Sequence, residues 1–125
     1  MLRQAYAEFP NECCGILGGT ASATELRVEE CYPLVNEAAS RIEYRSEPRS
    51  MLRACQAIDA ANWVIVGVYH SHPTSAPIPS RTDIARYDGL DAVQFIIGLK
   101  DGEPSVRGWW LSDAGFTEAD WRIVE

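Results

Sequence analysis

No run in this chain approaches the roughly eighteen apolar residues of a membrane-spanning helix, so no bilayer-crossing segment is expected. Cationic excess is missing as well: 11 Lys and Arg stand against 18 Asp and Glu, a formal net charge of -7. A nucleic-acid binder needs a cationic surface to displace counterions from phosphates, so DNA and RNA are not the expected partners. Cysteine is sparse. Cys13, Cys14, Cys31 and Cys55 are too few, and the first two too close, to read as a disulfide framework. The opening residues show no basic segment followed by an apolar stretch. A reducing cytoplasm, with the thiols free and buried as small hydrophobes, is the simplest expectation. Repeats, linkers and low-complexity tracts are also absent. What remains is 125 residues, 46% hydrophobic and 23% charged. That describes one compact domain over residues 1–125 with a core of its own.

Leu2, Tyr6 and Phe9 fall at helical spacing until Pro10 stops the pattern. CCGILGG then reads as a buried strand, and residues 25–34 alternate as a half-exposed one. RIEYRS, residues 41–46, alternates too and predicts a further short strand. Pro48 suits the first turn of a helix, with Met51, Leu52, Cys55 and Ile58 at helical intervals behind it. The arginines at 41, 45, 49 and 53 fall four apart, but Pro48 divides them between two elements, so they read as unrelated solvated charges.

WVIVGVYHSH is the strongest strand signal, an apolar β-branched run suited to a central strand covered on both faces. A proline-rich loop follows, then a short helix in SRTDIARYDGL ending near Gly89. AVQFIIGL is another buried strand and DGE a turn, with further strands in SVRGWWLS and around DWRIVE. Adjacent Trp109 and Trp110 should point to opposite faces, one to the core. The mixed order, with only two or three helices, predicts an α+β domain.

His70 and His72 are the only histidines. Two apart at the end of a strand, they share a face, with Cα atoms roughly 6.5 Å apart. Both rings could then reach one ion. A hydrogen-bonded pair in a loop is the plainer reading of that dipeptide spacing alone. Ten residues separate His72 from Asp83, among them Pro73, Pro77, Pro79 and Ser80. The prolines stiffen a loop that must fold back toward the strand end. Ser80 reads as a helix N-cap with Asp83 three residues on, as in a capping box. That role is compatible with ligation, because a first-turn side chain is rigidly placed. Two histidines and one carboxylate would leave a fourth tetrahedral position open, as in catalytic zinc sites.

His70-Ser71-His72-Pro73, followed by Pro79-Ser80 and Asp83, resembles the signature of the JAMM (MPN+) metallopeptidase family. Pro10-Asn11-Glu12-Cys13-Cys14-Gly15 is similar to the glutamate segment of its bacterial members. The resemblance implies a single MPN-type domain, a central mixed, mostly antiparallel curved sheet flanked by two or three helices. It also implies Zn(2+) held by His70, His72 and Asp83, with Glu12 as the general base that activates water and Ser80 as a donor to the oxyanion. The implied activity is hydrolysis of a peptide or isopeptide bond. The implied substrate is a small ubiquitin-like sulfur-carrier protein, cut after its C-terminal diglycine, because such bacterial members act on those carriers. The chain has no room for the long insertions with which eukaryotic deubiquitinating relatives grip ubiquitin. The family usually has a strand ahead of its first helix, whereas these residues open in the helix, so either that strand is missing or the sequence starts within a longer one. A sheet edge exposed by its absence would be a place for another chain to pair, so a homodimer is left open.

Three other readings are weighed. A non-catalytic MPN-type scaffold would lack some metal residues, and all are kept here. RadC-type proteins linked to DNA repair share His-x-His-Pro and Pro-Ser-x-x-Asp, but the glutamate segment and the acidic charge weigh against them. A cysteine nucleophile would need Cys13 or Cys14 set against a histidine base, and nothing in the spacing positions one.

Overall fold

The computed structural model describes residues 1–87, 89–100 and 102–124. The chain runs α1 (Leu2–Glu8), β1 (Cys14–Ala21), β2 (Leu26–Leu34), α2 (Pro48–Ala60), β3 (Val64–His72), α3 (Arg81–Ala85), β4 (Val93–Gly98), β5 (Ser105–Ser112) and β6 (Gly115–Ala119). The strands make one six-stranded sheet in the order β2-β1-β3-β4-β5-β6. All neighbouring pairs are antiparallel except β3 with β4. This is the α+β domain that the order of elements predicts, with the mixed, mostly antiparallel sheet that the family resemblance implies.

The apolar run of β3 places it between β1 and β4, and residues 69–72 are all buried. A parallel pair cannot be closed by a hairpin and needs a crossover of a dozen residues or more. Residues 73–92 supply that crossover between β3 and β4, and α3 lies within it. Asp83 of α3 reaches the carboxyl end of β3 by contact with His70 and His72.

The core has two halves. Cys13, Leu17, Val66, Tyr69, Phe95 and Ile97 form one, with Ala5 of α1 packed into it. Cys14, Ile16 and Leu34 form the other, under Ala54 and Ile58 of α2. Burying a side chain such as Ile58 contributes about 1.5–3 kcal/mol. α2 begins where its sequence predicts, with Pro48 in the first turn and the Glu47 carboxylate accepting the Ser50 N–H at 2.6 Å. Gly15 is demanded by close approach, since a Cβ there would stand 2.1 Å from the buried ring of Tyr69.

Several expectations need correction. RIEYRS is not a strand; its one ladder contact is an isolated bridge between Asn36 and Ser46. The segment is instead tied down by side chains, which alternation in sequence does not register. Residues 120–124 are not a strand either, and the last strand, β6, precedes them. The helix at the amino end forms, yet Leu2, Tyr6 and Phe9 are exposed and Ala5 is the residue it buries. Its core-facing position is thus a small residue, which lets the helix lie close to the sheet. β2 is more exposed than a half-buried strand, because it is an edge strand. The short helix ends at Ala85 rather than near Gly89. Asp88 of that segment and Asp101 of the DGE turn lie outside the described residues, as does Glu125. The four cysteines are free, as expected. No helix among the described residues is long and apolar enough to cross a membrane.

Candidate metal centre

β3 closes on His70-Ser71-His72, and strand alternation sends both imidazoles to one face. Their Nε2 atoms stand 3.1 Å apart. The capping box at the start of α3 brings Asp83 to them: its Oδ2 lies 3.1 Å from His72 Nε2 and 3.2 Å from His70 Nε2. Ligation at about 2.0–2.1 Å in a tetrahedron sets ligand atoms roughly 3.3 Å apart, so this triangle is already close to that size. Among the described residues these three form the group able to hold a metal ion. Two imidazoles and one carboxylate are a donor set that suits zinc.

Proton bookkeeping at the triangle supports the fit. His72 Nδ1 lies 2.8 Å from the carbonyl of Ala76. A carbonyl only accepts, so Nδ1 carries the hydrogen. In the neutral ring, Nε2 then faces Asp83 Oδ2 with a lone pair, a contact that only a cation or proton between them relieves. Asp83 Oδ2 is further fixed by the Ser80 backbone N–H at 2.9 Å. Burial alone would raise the Asp83 carboxyl, but His70 and His72, wherever they carry a proton toward it, and the Ser80 N–H hold it well below the usual carboxylate range. Burial lowers His70. The same burial acts on His72, but its hydrogen bonds to Asp83 and Ala76, with the fields of Asp83 and Glu12, outweigh it and raise that ring.

His70 is oriented by packing instead. Its ring stacks on Tyr44 with centroids 4.7 Å apart and an interplanar angle of 26°. Its buried Nδ1 has no hydrogen-bond partner among the described residues.

Glu12 sits just ahead of β1 and is 3% exposed, yet its Oε1 has no partner among the described residues. Desolvation raises its pKa to about 8, against the lowering field of His72, and Asp83 and Glu43 add to the rise. Glu12 is not a member of the triangle, and its place is set through the backbone. Its backbone is pinned on both sides, its N–H donating to Ser40 O at 2.7 Å and its carbonyl accepting from Asn36 Nδ2 at 2.9 Å. The next residue, Cys13, donates its N–H to Ser71 Oγ at 2.8 Å. Ser71 thus uses the far face of β3 to register Glu12 against the histidines. Ser80 Oγ accepts the Asp83 N–H at 3.1 Å, which leaves its own hydroxyl hydrogen available.

Three supports went unread in the sequence. Asn36 bridges the 36–45 loop, accepting from Ala38 and Arg45 N–H groups while donating to Glu12. Tyr44 presses on His70 from that loop, and Arg86 ties it down by donating to Tyr44 O at 2.6 Å and pairing with Glu43 at 3.1 Å. Trp109 donates its Nε1–H to Pro77 O at 2.9 Å, next to the Ala76 carbonyl that orients His72. A Cβ at Gly98 would stand 2.8 Å from Pro77 Cδ, so that loop also packs tightly on β4. Trp109 is buried and Trp110 exposed, as their adjacency predicts. Only that pair left a trace in the sequence. Cys13 and Cys14 are pushed by burial to about 11 and about 12, which leaves negligible thiolate near neutrality.

Residues 1–112 match the family model described as prokaryotic homologs of the JAB domain, and the chain belongs to that family. It is 30% identical over 126 residues to a CysO-cysteine peptidase of Mycobacterium tuberculosis, covering 100% of this chain and 85% of that protein. It is 37% identical over 106 residues to a desampylase of Haloferax volcanii, covering 84% of this chain and 74% of the relative. Among solved structures, a protein from Desulfitobacterium hafniense superposes with a TM-score of 0.87 at 31% identity, over 96% of this chain and 83% of that one. A JAB1/MPN domain protein from Archaeoglobus fulgidus shares the fold, with a TM-score of 0.55 at 20% identity, over 99% of this chain and 90% of that one.

Proposed function

We propose that this chain is a zinc-dependent peptidase that hydrolyses the amide bond after the C-terminal diglycine of a small ubiquitin-like carrier protein. The observation that carries the reading is the convergence of His70, His72 and Asp83 on one point beside the buried, unpartnered carboxyl of Glu12. The names of the similar proteins, a CysO-cysteine peptidase and a desampylase, supply the substrate class.

His70, His72 and Asp83 would hold the ion. Bound zinc supplies a Lewis acid and lowers the pKa of water to about 7. Glu12 takes a proton from the attacking water at its carboxylate and returns it to the departing amine nitrogen. The C–O bond forms first, moving charge onto the carbonyl oxygen, and the C–N bond breaks as that charge returns and the nitrogen takes the proton; no other co-reactant is needed. Burial raises the Glu12 carboxyl in the metal-free protein, and a dication beside it would draw the group back down. Two opposed pulls suit a group that must both accept and give a proton. Ser80 presents its hydroxyl hydrogen to the developing oxyanion while its Oγ stays anchored on Asp83 N–H. Pro77 and Pro79 stiffen the loop beside Ser80, and a tail of two glycines, lacking Cβ atoms, is what passes closest to it.

Mass spectrometry of carriers ending in Gly-Gly, Gly-Ala or Ala-Gly before one extra residue tests the proposal. Release from the first alone, dependent on zinc, is the expected result. Equal cleavage of all three, or rapid turnover of unrelated unstructured peptides, would show a broader peptidase. Zinc-loaded protein that cuts none of these substrates would favour a scaffold.

A further inference from the structure

The triangle of ligands does not float on an open surface. A cavity of about 210 Å³ opens beside His70 and Asp83, between α2, the 44–46 segment and the residues after α3. Its walls include Met51, Ile65, Val68 and Leu111, and Arg86 stands among its lining. We propose that this cavity is the subsite for the leaving group, and that it takes a single amino acid with an apolar side chain and a free α-carboxylate. The inference rests on the peptidase reading above and extends it to the far side of the scissile bond.

Size and chemistry select the side chain. An apolar cavity of about 150 Å³ already admits benzene, so this one accommodates Leu, Met or Phe. Its lining shares His70 and Asp83 with the triangle, so the cavity adjoins the place where the scissile bond would be cut. A small or charged side chain would leave the wall unfilled or bury a charge without a partner.

Arg86 selects the carboxylate. The surrounding groups are acids: Glu12, Asp83 and Glu43. Arg86 is the cation whose field opposes them at both Glu12 and Tyr44. Of its five N–H donors, the described contacts engage two, at Tyr44 O and at Glu43 Oε2. The Glu43 pair is about half exposed, 47% and 42% for the two side chains. Such a pair is held weakly. An incoming carboxylate can share or replace Glu43 on the planar fork of the guanidinium. A longer extension would offer an amide at that place, with no charge for Arg86 to meet.

The test uses zinc-loaded protein and a ubiquitin-like carrier whose Gly-Gly end is extended by Gly, Leu, Met or Phe, each as free acid and as amide. The proposal expects Leu, Met and Phe to exceed Gly by on the order of 10-fold or more in kcat/KM. It also expects the free acid to exceed the amide by about 10-fold, mainly through KM. Arg86→Gln should collapse the acid-to-amide ratio, and Glu43→Gln should raise it. That ratio is internal to each variant, so a folding defect lowers both numbers without moving it. An unchanged ratio in Arg86→Gln, or equal rates for Gly and Leu, would overturn the proposal while leaving the peptidase reading standing. Binding of free L-leucine and leucinamide, followed by NMR shifts at Val68 and Leu111, separates the two claims. Leucine binding that Arg86→Gln weakens would uphold the subsite even if no carrier were cut. Absence of any shift at millimolar leucine, with no carrier cut, would overturn it.

Discussion

Glu12→Gln should stabilise the metal-free protein, and do so only as pH rises. An exposed glutamate titrates near 4.5, whereas the folded protein holds Glu12 at about 8 through burial. Below pH 4.5 folded and unfolded chains both keep the proton, and the position carries no penalty. Between 4.5 and 8 the unfolded chain ionises while the folded one does not. The unfolded state then binds fewer protons, and stability falls with rising pH. Above 8 both forms are ionised and the loss is complete. At about 1.36 kcal/mol per pH unit, the span amounts to roughly 5 kcal/mol, a large share of a domain's ordinary 5–15 kcal/mol. Glutamine is neutral and nearly isosteric, so the variant lacks this loss. Urea denaturation of chelator-stripped wild type and Glu12→Gln at pH 5, 6.5 and 8 measures it. Taking the difference between the two proteins cancels what His70, His72 and Asp83 contribute on their own, while the field by which Glu12 raises His72 remains in it. The curves should nearly coincide at pH 5 and diverge by several kcal/mol at pH 8. Zinc should shrink the gap, because a nearby dication favours the ionised carboxylate. Parallel pH dependence in the two proteins would refute the argument. Turnover should move the other way, falling about 10²-fold or more in the variant.

His72→Ala should cut bound zinc from about one equivalent to near none by elemental analysis, while wild type loses zinc on acidification as protons compete for the raised His72 ring. Ser71→Ala strands the buried Cys13 N–H and should cost about 1–3 kcal/mol in urea denaturation. Trp109→Phe keeps a ring but loses the hydrogen bond to Pro77, so zinc affinity should weaken about 10-fold and the His72 ¹⁵N shifts should report a mixed tautomer. Ser80→Ala should lower kcat by roughly 2–4 kcal/mol of transition-state stabilisation and, separately, cost about 1 kcal/mol of capping.

The strand run of β3, the helix opened by Pro48 and the capping box at Ser80 were legible because each is a local signal. Backbone propensity or hydrophobic period decides them within a few residues. The ligand triangle was legible for a related reason, since two of its members share a strand end and the third starts the next helix. Residues 41–46 were misread because alternation records only which side chains are polar. It cannot register that Asn36, Tyr44 and Arg86 hold the backbone in place of a ladder. The supports at Ser71, Ala76 and Trp109 act between segments far apart in sequence, or through a carbonyl that every residue possesses. No residue type announces a backbone carbonyl. Arg86 was hidden by the opposite circumstance, since one arginine among 11 cationic residues looks like a solvated charge until its neighbours are placed.

The single parallel step in the sheet has a consequence for descent. Antiparallel neighbours can be joined by a turn pared down to two residues, and drift is free to shorten such turns. The step from β3 to β4 cannot be shortened that way without unmaking the sheet. Asp83 and Arg86 both ride on that connection, so the piece of chain that descent is least able to discard also carries one member of the His70, His72 and Asp83 group and a rim of the cavity. Point changes at Arg86, Tyr87 or Leu90 alter the cavity lining, while the length of the span that bears Asp83 is kept by the parallel pairing. Lineages of this domain would then change the cavity lining sooner than the span that bears Asp83.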